Sequence, residues 1–297
     1  MPAKVIGGPK NLWLHSNEGY DLTHPPTPTS HPIHPRITVE TTKGPVAIDP
    51  AKTALPVIDL QNYFLSPLLG RPRDSLGIKV VDQLLQRAIP LCRKAAIPVI
   101  WLGWGLTEDV QTMPPTIVKG SVADTNFEGE NRTTGGLGSD IGPLKGEDGS
   151  VVEGGKIMMR DQWNTACYDP LRKVKEEGDI EIYKNRLSGF WGGTGIEEVL
   201  EKGGQDAAVF GLQSRPVRCG KLAGRFYQGL GLSFAERWDS DEYPGVCKRL
   251  FHDRWLPWSF RVVLTFTGQC TEFNTEEGWG FVLTCQQFES GVERMIA

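Results

Sequence analysis

Four short apolar runs recur along the middle of the chain, and their spacing limits the fold more than any other feature. They are TALPVIDL (53–60), IPVIWLGW (97–104), DIEIYK (179–184) and DAAVFGL (206–212). Runs this short, bounded by polar or turn-forming residues, predict strands buried on both faces of a parallel sheet. Between the first two, Asp74 to Ala96 carries Ile78, Val81, Leu84, Leu85, Ala88 and Leu91 at helical spacing. After the third, Thr194 and Glu197 form a capping box before IEEVLEKGG, a short helix ended by glycines. Strands alternating with helices predict an α/β fold: a doubly wound, mostly parallel sheet with helices on both faces. Sites in such sheets lie beyond the carboxyl ends of the strands, where Asp59 and Lys184 both stand.

The flanks read differently. Residues 1–50 are rich in Pro, Thr and His, and HPPTPTSHPIHPR cannot be a helix because proline removes donors and restricts its neighbours. An extended N-terminal arm is expected, lying on a domain formed by residues 51–297. His15, His24, His31 and His34 are irregularly spaced and interrupted by prolines, so they are expected to be solvated loop residues and not metal ligands. Residues 114–162, Gly-rich and weakly periodic, are expected to form a long loop or lid, with a helix starting near Thr165.

Composition sets outer bounds. With 297 residues, 39% hydrophobic and 23% charged, the chain can bury a core. A net charge of −4 argues against a nucleic-acid partner. No apolar run approaches membrane-spanning length, and MPAKVIGGPKN lacks the apolar core of a secretory signal, so a cytoplasmic location is expected. The six cysteines, at positions 92, 167, 219, 247, 270 and 285, form no C-x-x-C pair and fit no zinc spacing. Most are expected to be buried free thiols. A catalytic one would need an acid–base partner and a cation nearby.

Three segments carry a resemblance. ALPVIDLQNYFLSP (54–67) has Asp59 followed by Gln61, Asn62 and Phe64; VIWLGWGLTEDVQTMPP follows the second strand; YKNRLSGFWGGTGIEEVL (183–200) sets Lys184, Arg186, Ser188, Phe190 and Thr194 in K-x-R-x-S-x-F-x-x-x-T order. In this order and separation they resemble the isochorismatase-like cysteine hydrolases, over residues 51 to about 212 and again from Cys270 to Met295. The resemblance implies a Rossmann-like three-layer fold and an Asp–Lys–Cys triad. Asp59 would take the thiol proton, Lys184 would lower the thiol pKa, and the thiolate would cleave a small amide- or ureide-type C–N bond through a thioester. Gln61, Phe64, Trp104, Arg186 and Trp191 are the substrate-binding candidates, with core packing the competing role for Phe64 and Trp101. Some relatives hold zinc through D-x-H-like ligands, but here the second strand ends WLGWGLTED without histidine, so no metal and no cofactor are expected. The implied partner is a small-molecule substrate, and relatives commonly form homo-oligomers.

The pattern fails after Gly211. The family's nucleophile, in a V-N-T-D-Q-C-like sequence, would fall near Val217, whereas Cys219, behind Pro216, is the local thiol. Read one nucleotide later, residues 213–218 permit Asn, Asp, Gln and Cys, and a family-like sequence continues beyond. Residues 213–266 are therefore expected to be a frame-shifted or mis-spliced rendering of the catalytic segment. The competing expectation is a catalytically inactive binding or scaffold protein of the same fold.

Overall fold

The computed structural model describes residues 3–8, 11–23, 34–107, 136–185, 189, 194–202, 208–209, 212–213, 232–234 and 280–296. The chain opens with β1 (Lys4–Gly8), β2 (Asn11–Ser16), β3 (Gly19–Asp21), β4 (Ile37–Val39) and β5 (Val46–Ile48). These join in the order β1-β2-β3-β5-β4, antiparallel except for β3 against β5. The segment expected as an extended arm thus carries a sheet of its own. Prolines forbid a helix but crowd into residues 24–33, leaving the flanking stretches free to pair. His15, expected in a solvated loop, lies in β2 and stacks on Tyr20 with ring centroids 4.3 Å apart. His24 and His31 lie outside the described residues.

The central sheet begins with β6 (Thr53–Ile58) and β7 (Val99–Trp104). Between them α1 (Asn62–Leu65) is followed by a longer helical run: α2 (Leu76–Gln83), a π-helical turn over Leu84–Ala88, and α3 (Ile89–Lys94). Ser75 caps α2, its hydroxyl accepting from the Ile78 N–H at 3.4 Å. The widened turn has a local cause. Pro90 has no N–H to donate and its ring crowds the preceding turn, so the ladder shifts to a bond from Ile89 N–H to Leu84 O, five residues back.

Residues 136–162 are packed, unlike the loop or lid expected there. β8 (Pro143–Lys145) and β9 (Val151–Glu153) form an antiparallel hairpin, and Leu137, Leu144, Ile157 and Met158 are buried against Tyr63, Leu69, Trp104 and Leu106. Glycines hide this from periodicity because they serve turns here: Gly138, Gly142, Gly149 and Gly155 all have positive φ. Residues 114–135 of the expected lid lie outside the described residues. In place of a helix at Thr165 there is a 3₁₀ turn over Trp163–Thr165, then α4 (Asp169–Arg172).

β10 (Ile180–Lys184), β11 (Ala208–Val209) and β12 (Leu212–Gln213) complete the sheet, whose order is β10-β7-β6-β11, with β12 also on β6 and every pair parallel. Alternate side chains serve two faces. Ala54, Ile100, Leu102 and Ile182 pack on Ile196 and Leu200 of α5 (Ile196–Lys202). Leu55, Val57, Val99 and Trp101 share a core with Val80, Val81 and Leu84. The fold is α/β, doubly wound and parallel at its centre. Last, β13 (Leu232–Phe234) pairs parallel with β14 (Phe281–Leu283), and α6 (Cys285–Ile296) lies on β4. A Cβ on Gly291 of α6 would stand 2.8 Å from Thr38 O, so only glycine allows that approach. No described helix is long and apolar enough to cross a membrane.

One ion pair ties α3 to the base of β10. Arg93 meets Asp179 through both nitrogens, Nη1–Oδ1 at 2.5 Å and Nη2–Oδ2 at 2.6 Å, and Trp101 Nε1 donates to Asp179 Oδ2 at 2.8 Å. Burial opposes ionisation of Asp179, but the Arg93 and Trp101 bonds outweigh it and hold the carboxyl below its ordinary value. Its stabilisation is therefore complete above the unfolded value, about 3.9, and is lost as pH falls through the lower folded value. Asp179→Asn is expected to destabilise the fold by about 1–3 kcal/mol at pH 7. In urea melts across pH, the gap to the parent protein should narrow below about pH 4.

Candidate active site

Asp59 follows directly on β6 and ends it sharply. Its N–H still donates to Leu102 O at 2.9 Å, but its φ is 58°, a left-handed conformation that aspartate tolerates better than most residues. Lys184 is the last residue of β10, in register with Trp104, and its carbonyl accepts from Gly105 N–H at 3.1 Å. β7 runs between the two strands. Neighbouring strands lie about 4.8 Å apart, so the two backbones stand about 10 Å from one another, and the long lysine stem makes up most of the span. The ends meet: Lys184 Nζ lies 2.7 Å from Asp59 Oδ2, with side chains 3% and 7% exposed. The two charges that sequence placed at separate strand ends thus share one buried contact.

Trp104 joins them. Its ring centroid lies 4.6 Å from Lys184 Nζ, within cation–π range. Gln61 lies across the end of β7: Nε2 donates to Trp104 O at 2.7 Å and Thr165 O at 2.5 Å, and Oε1 accepts from Trp104 N at 2.8 Å. The 59–62 segment is held from its other side by Asn62 N–H to Ala166 O and Tyr168 N–H to Leu60 O, both backbone bonds. Phe64 is half-buried, packed between two core clusters and edge-on to Tyr63 with centroids 5.2 Å apart. Cys219, Arg186 and Trp191 lie outside the described residues, as does residues 213–266 apart from Gln213 and β13.

Three thiols are described. Burial pushes Cys92 well above the usual thiol range and Cys167 up to about 11, and Cys285 is buried. Cys167 lines an open crevice with Trp101, Lys175, Glu181 and Tyr183. Tyr183 and Lys184 are successive strand residues, so this crevice and the ammonium lie on opposite faces of the sheet. Burial, then the hydrogen bond from its hydroxyl to Glu181 Oε1 (2.9 Å), raises the Tyr183 phenol above its ordinary value. Among the described residues no group of three or more His, Cys, Asp or Glu side chains could hold a metal ion.

Sequence reasoning missed two residues that shape the site, Gly103 and Gly105. A Cβ on Gly103 would lie 2.8 Å from Gln61 Nε2, and one on Gly105 would lie 2.6 Å from the Tyr183 ring. The signal was the G-W-G triplet, since glycine in a strand interior marks a close approach.

No family model matches the sequence. The chain is 30% identical over 173 residues to ureidoacrylate amidohydrolase RutB of Methylobacterium radiotolerans, covering 56% of this chain and 58% of that protein. It is 28% identical over 172 residues to ureidoacrylate amidohydrolase RutB of Caulobacter segnis, covering 56% and 62%. The matches thus span about three fifths of these curated relatives. A solved cysteine hydrolase from Pseudomonas syringae pv. phaseolicola aligns with a TM-score of 0.48 at 15% identity, over 88% of this chain and 98% of that one, a likeness too low to carry weight. With the motifs of residues 54–67 and 183–200 meeting at the strand ends, and with this sequence similarity beside them, the chain resembles the isochorismatase-like cysteine hydrolases.

Proposed function

We propose that the chain is a cysteine hydrolase that cleaves a small amide- or ureide-type C–N bond, with Asp59 and Lys184 activating a thiol and Cys219 supplying it. The observation that carries this reading is the buried 2.7 Å contact between Lys184 and Asp59 at the carboxyl ends of β10 and β6. A second observation bears on the thiol. Gln213 pairs with Ile58, so the chain leaving β12 emerges beside Asp59. Cys219 follows six residues on, and six residues can span up to about 20 Å.

The chemistry follows from these charges. The Asp59 carboxylate takes the thiol proton, and the Lys184 ammonium stabilises the thiolate. Sulfur attacks the carbonyl carbon, the C–N bond breaks, and nitrogen departs with the proton held by Asp59. Water then cleaves the thioester, with Asp59 accepting its proton. The ureidoacrylate amidohydrolases suggest a ureido acid as the first substrate to test. Phe64, Arg186 and Trp191 are proposed to border the substrate. A second reading, an inactive binding protein, is favoured by the position of Cys219, two residues beyond the family's place and behind Pro216. It goes with the proposal that residues 213–266 are frame-shifted or mis-spliced, which transcript sequencing and peptides from residues 220–260 test directly.

Iodoacetamide labelling across pH, read by mass spectrometry, separates the readings. For the hydrolase, Cys219 labels with an apparent pKa below the ordinary value of about 8.5, and Cys219→Ser abolishes ammonia release from ureidoacrylate. Asp59→Asn and Lys184→Met each lower kcat/KM by about 10²–10⁴-fold. No thiol labelling below its ordinary range, or turnover that survives Cys219→Ser, would refute the nucleophile assignment. Lys184→Met also strands a buried carboxylate and should cost about 3–5 kcal/mol in urea unfolding. Adding Asp59→Asn should restore part of that loss, since the variant removes the uncompensated charge.

A further inference from the structure

We propose that Gln61 and Trp104 form a positioning unit, in which the Gln61 carboxamide grips the Trp104 peptide so that the indole face holds the Lys184 ammonium against Asp59. Gln61 is then a clamp, not a substrate ligand. The contribution to turnover rests on the hydrolase reading above; the clamp itself does not.

A carboxamide has two N–H donors. Both belong to Nε2 of Gln61 and both are spent, on Trp104 O and Thr165 O, while Oε1 receives Trp104 N–H. Gln61 is 3% exposed. No donor remains to meet a substrate carbonyl.

β6 and β7 stay in register through Ile58 and Leu102, then Asp59 turns the chain away. Trp104 would be left with its N–H and C=O aimed at the side β6 has vacated. One side chain fills both valences, so Gln61 acts as a substitute strand residue. The opposite side of β7 stays in the ladder through Gly105 N–H to Lys184 O. Trp104 is therefore fixed from both edges, directly opposite the residue whose ammonium its ring meets at 4.6 Å.

Gln61 can lie across β7 only because residue 103 lacks a side chain: a Cβ there would stand 2.8 Å from Nε2 and 2.9 Å from Cδ. Glycine weakens a central strand, so its presence needs a local reason, and the clamp supplies one.

Ring currents make the unit visible by NMR without any substrate. In protein labelled with ¹³C-lysine, the Lys184 Hε signals, assigned by their disappearance in Lys184→Arg, should lie upfield of those of the other lysines. Trp104→Phe should keep part of the displacement and Trp104→Leu should abolish it. Gln61→Leu, Gln61→Glu and Gly103→Ala should each reduce it with the indole still present, circular dichroism showing the fold intact. The same three variants should lower kcat by about 10²-fold with KM unchanged. An ordinary Lys184 Hε position in the parent protein overturns the stack. A displacement unchanged in both Gln61 variants overturns the clamp, and a rise in KM alone would make Gln61 a substrate ligand. A parent protein without turnover defeats the hydrolase reading and leaves the NMR comparison to decide the unit.

Discussion

The contact between Lys184 and Asp59 governs much of what surrounds it. Either charge buried alone costs several kcal/mol, which few local interactions can offset. Held 2.7 Å apart, each offsets the other, and the site can exclude water without neutralising either. The pair joins two strands that are not neighbours. That geometry needs the order β10-β7-β6, a long side chain on one outer strand, and a short one on the other turned inward by its own backbone. Asp59 supplies the turn through its positive φ. A one-residue slip in β10 would carry Lys184 to the crevice face, because strand side chains alternate. The register from Ile180–Ile100 to Lys184–Trp104 is thus part of the site.

What could be read in the sequence follows from how far each element depends on distant partners. Strands buried on both faces become near-continuous apolar runs, so β6, β7 and β10 are legible one by one, and Asp59 and Lys184 stand out as the polar residues that close them. The long helix is legible from its apolar spacing, though its π turn answers to Pro90. The N-terminal sheet was not legible. β1 (KVIGG) and β2 (NLWLHS) mix glycine and polar residues into their runs, β3 has three residues, and the sheet closes by a parallel pairing of β3 with β5 across the Pro-rich stretch. The bonds of Gln61 were hidden for a related reason. A polar residue two places after a candidate catalytic aspartate suggests substrate contact, and its bond to Thr165, 104 residues away, has no local trace.

The first and last segments complete one another. Trp13 and Tyr20 of the N-terminal sheet meet Phe281 of β14, with ring centroids 5.7 and 4.8 Å apart. α6 then lies on β4 and reaches the helical run through Arg87 and Glu289, at 2.9 Å. Phe288 and Val292 enter the same core as Leu55, Val57 and Trp101. One face of the central sheet is therefore covered in part by residues from the far end of the chain.

Gly103 in β7 and Gly105 just beyond its end show how the strand end is held. A parallel core strand is normally stabilised by β-branched and large side chains, and glycine costs it both packing and backbone entropy. Here the voids at 103 and 105 are occupied by Gln61 from one side and the Tyr183 ring from the other. The lost side-chain packing is replaced by groups whose positions other elements fix. The result is a tryptophan that cannot easily turn at the one place where β7 must support a bridge passing over its end. The two faces then diverge in chemistry. On the crevice face Cys167 is held as a thiol, pushed up to about 11, while the opposite face carries a paired ammonium and carboxylate. On the side of β6 away from β7, β12 ends at Gln213, paired with Ile58, the residue before Asp59.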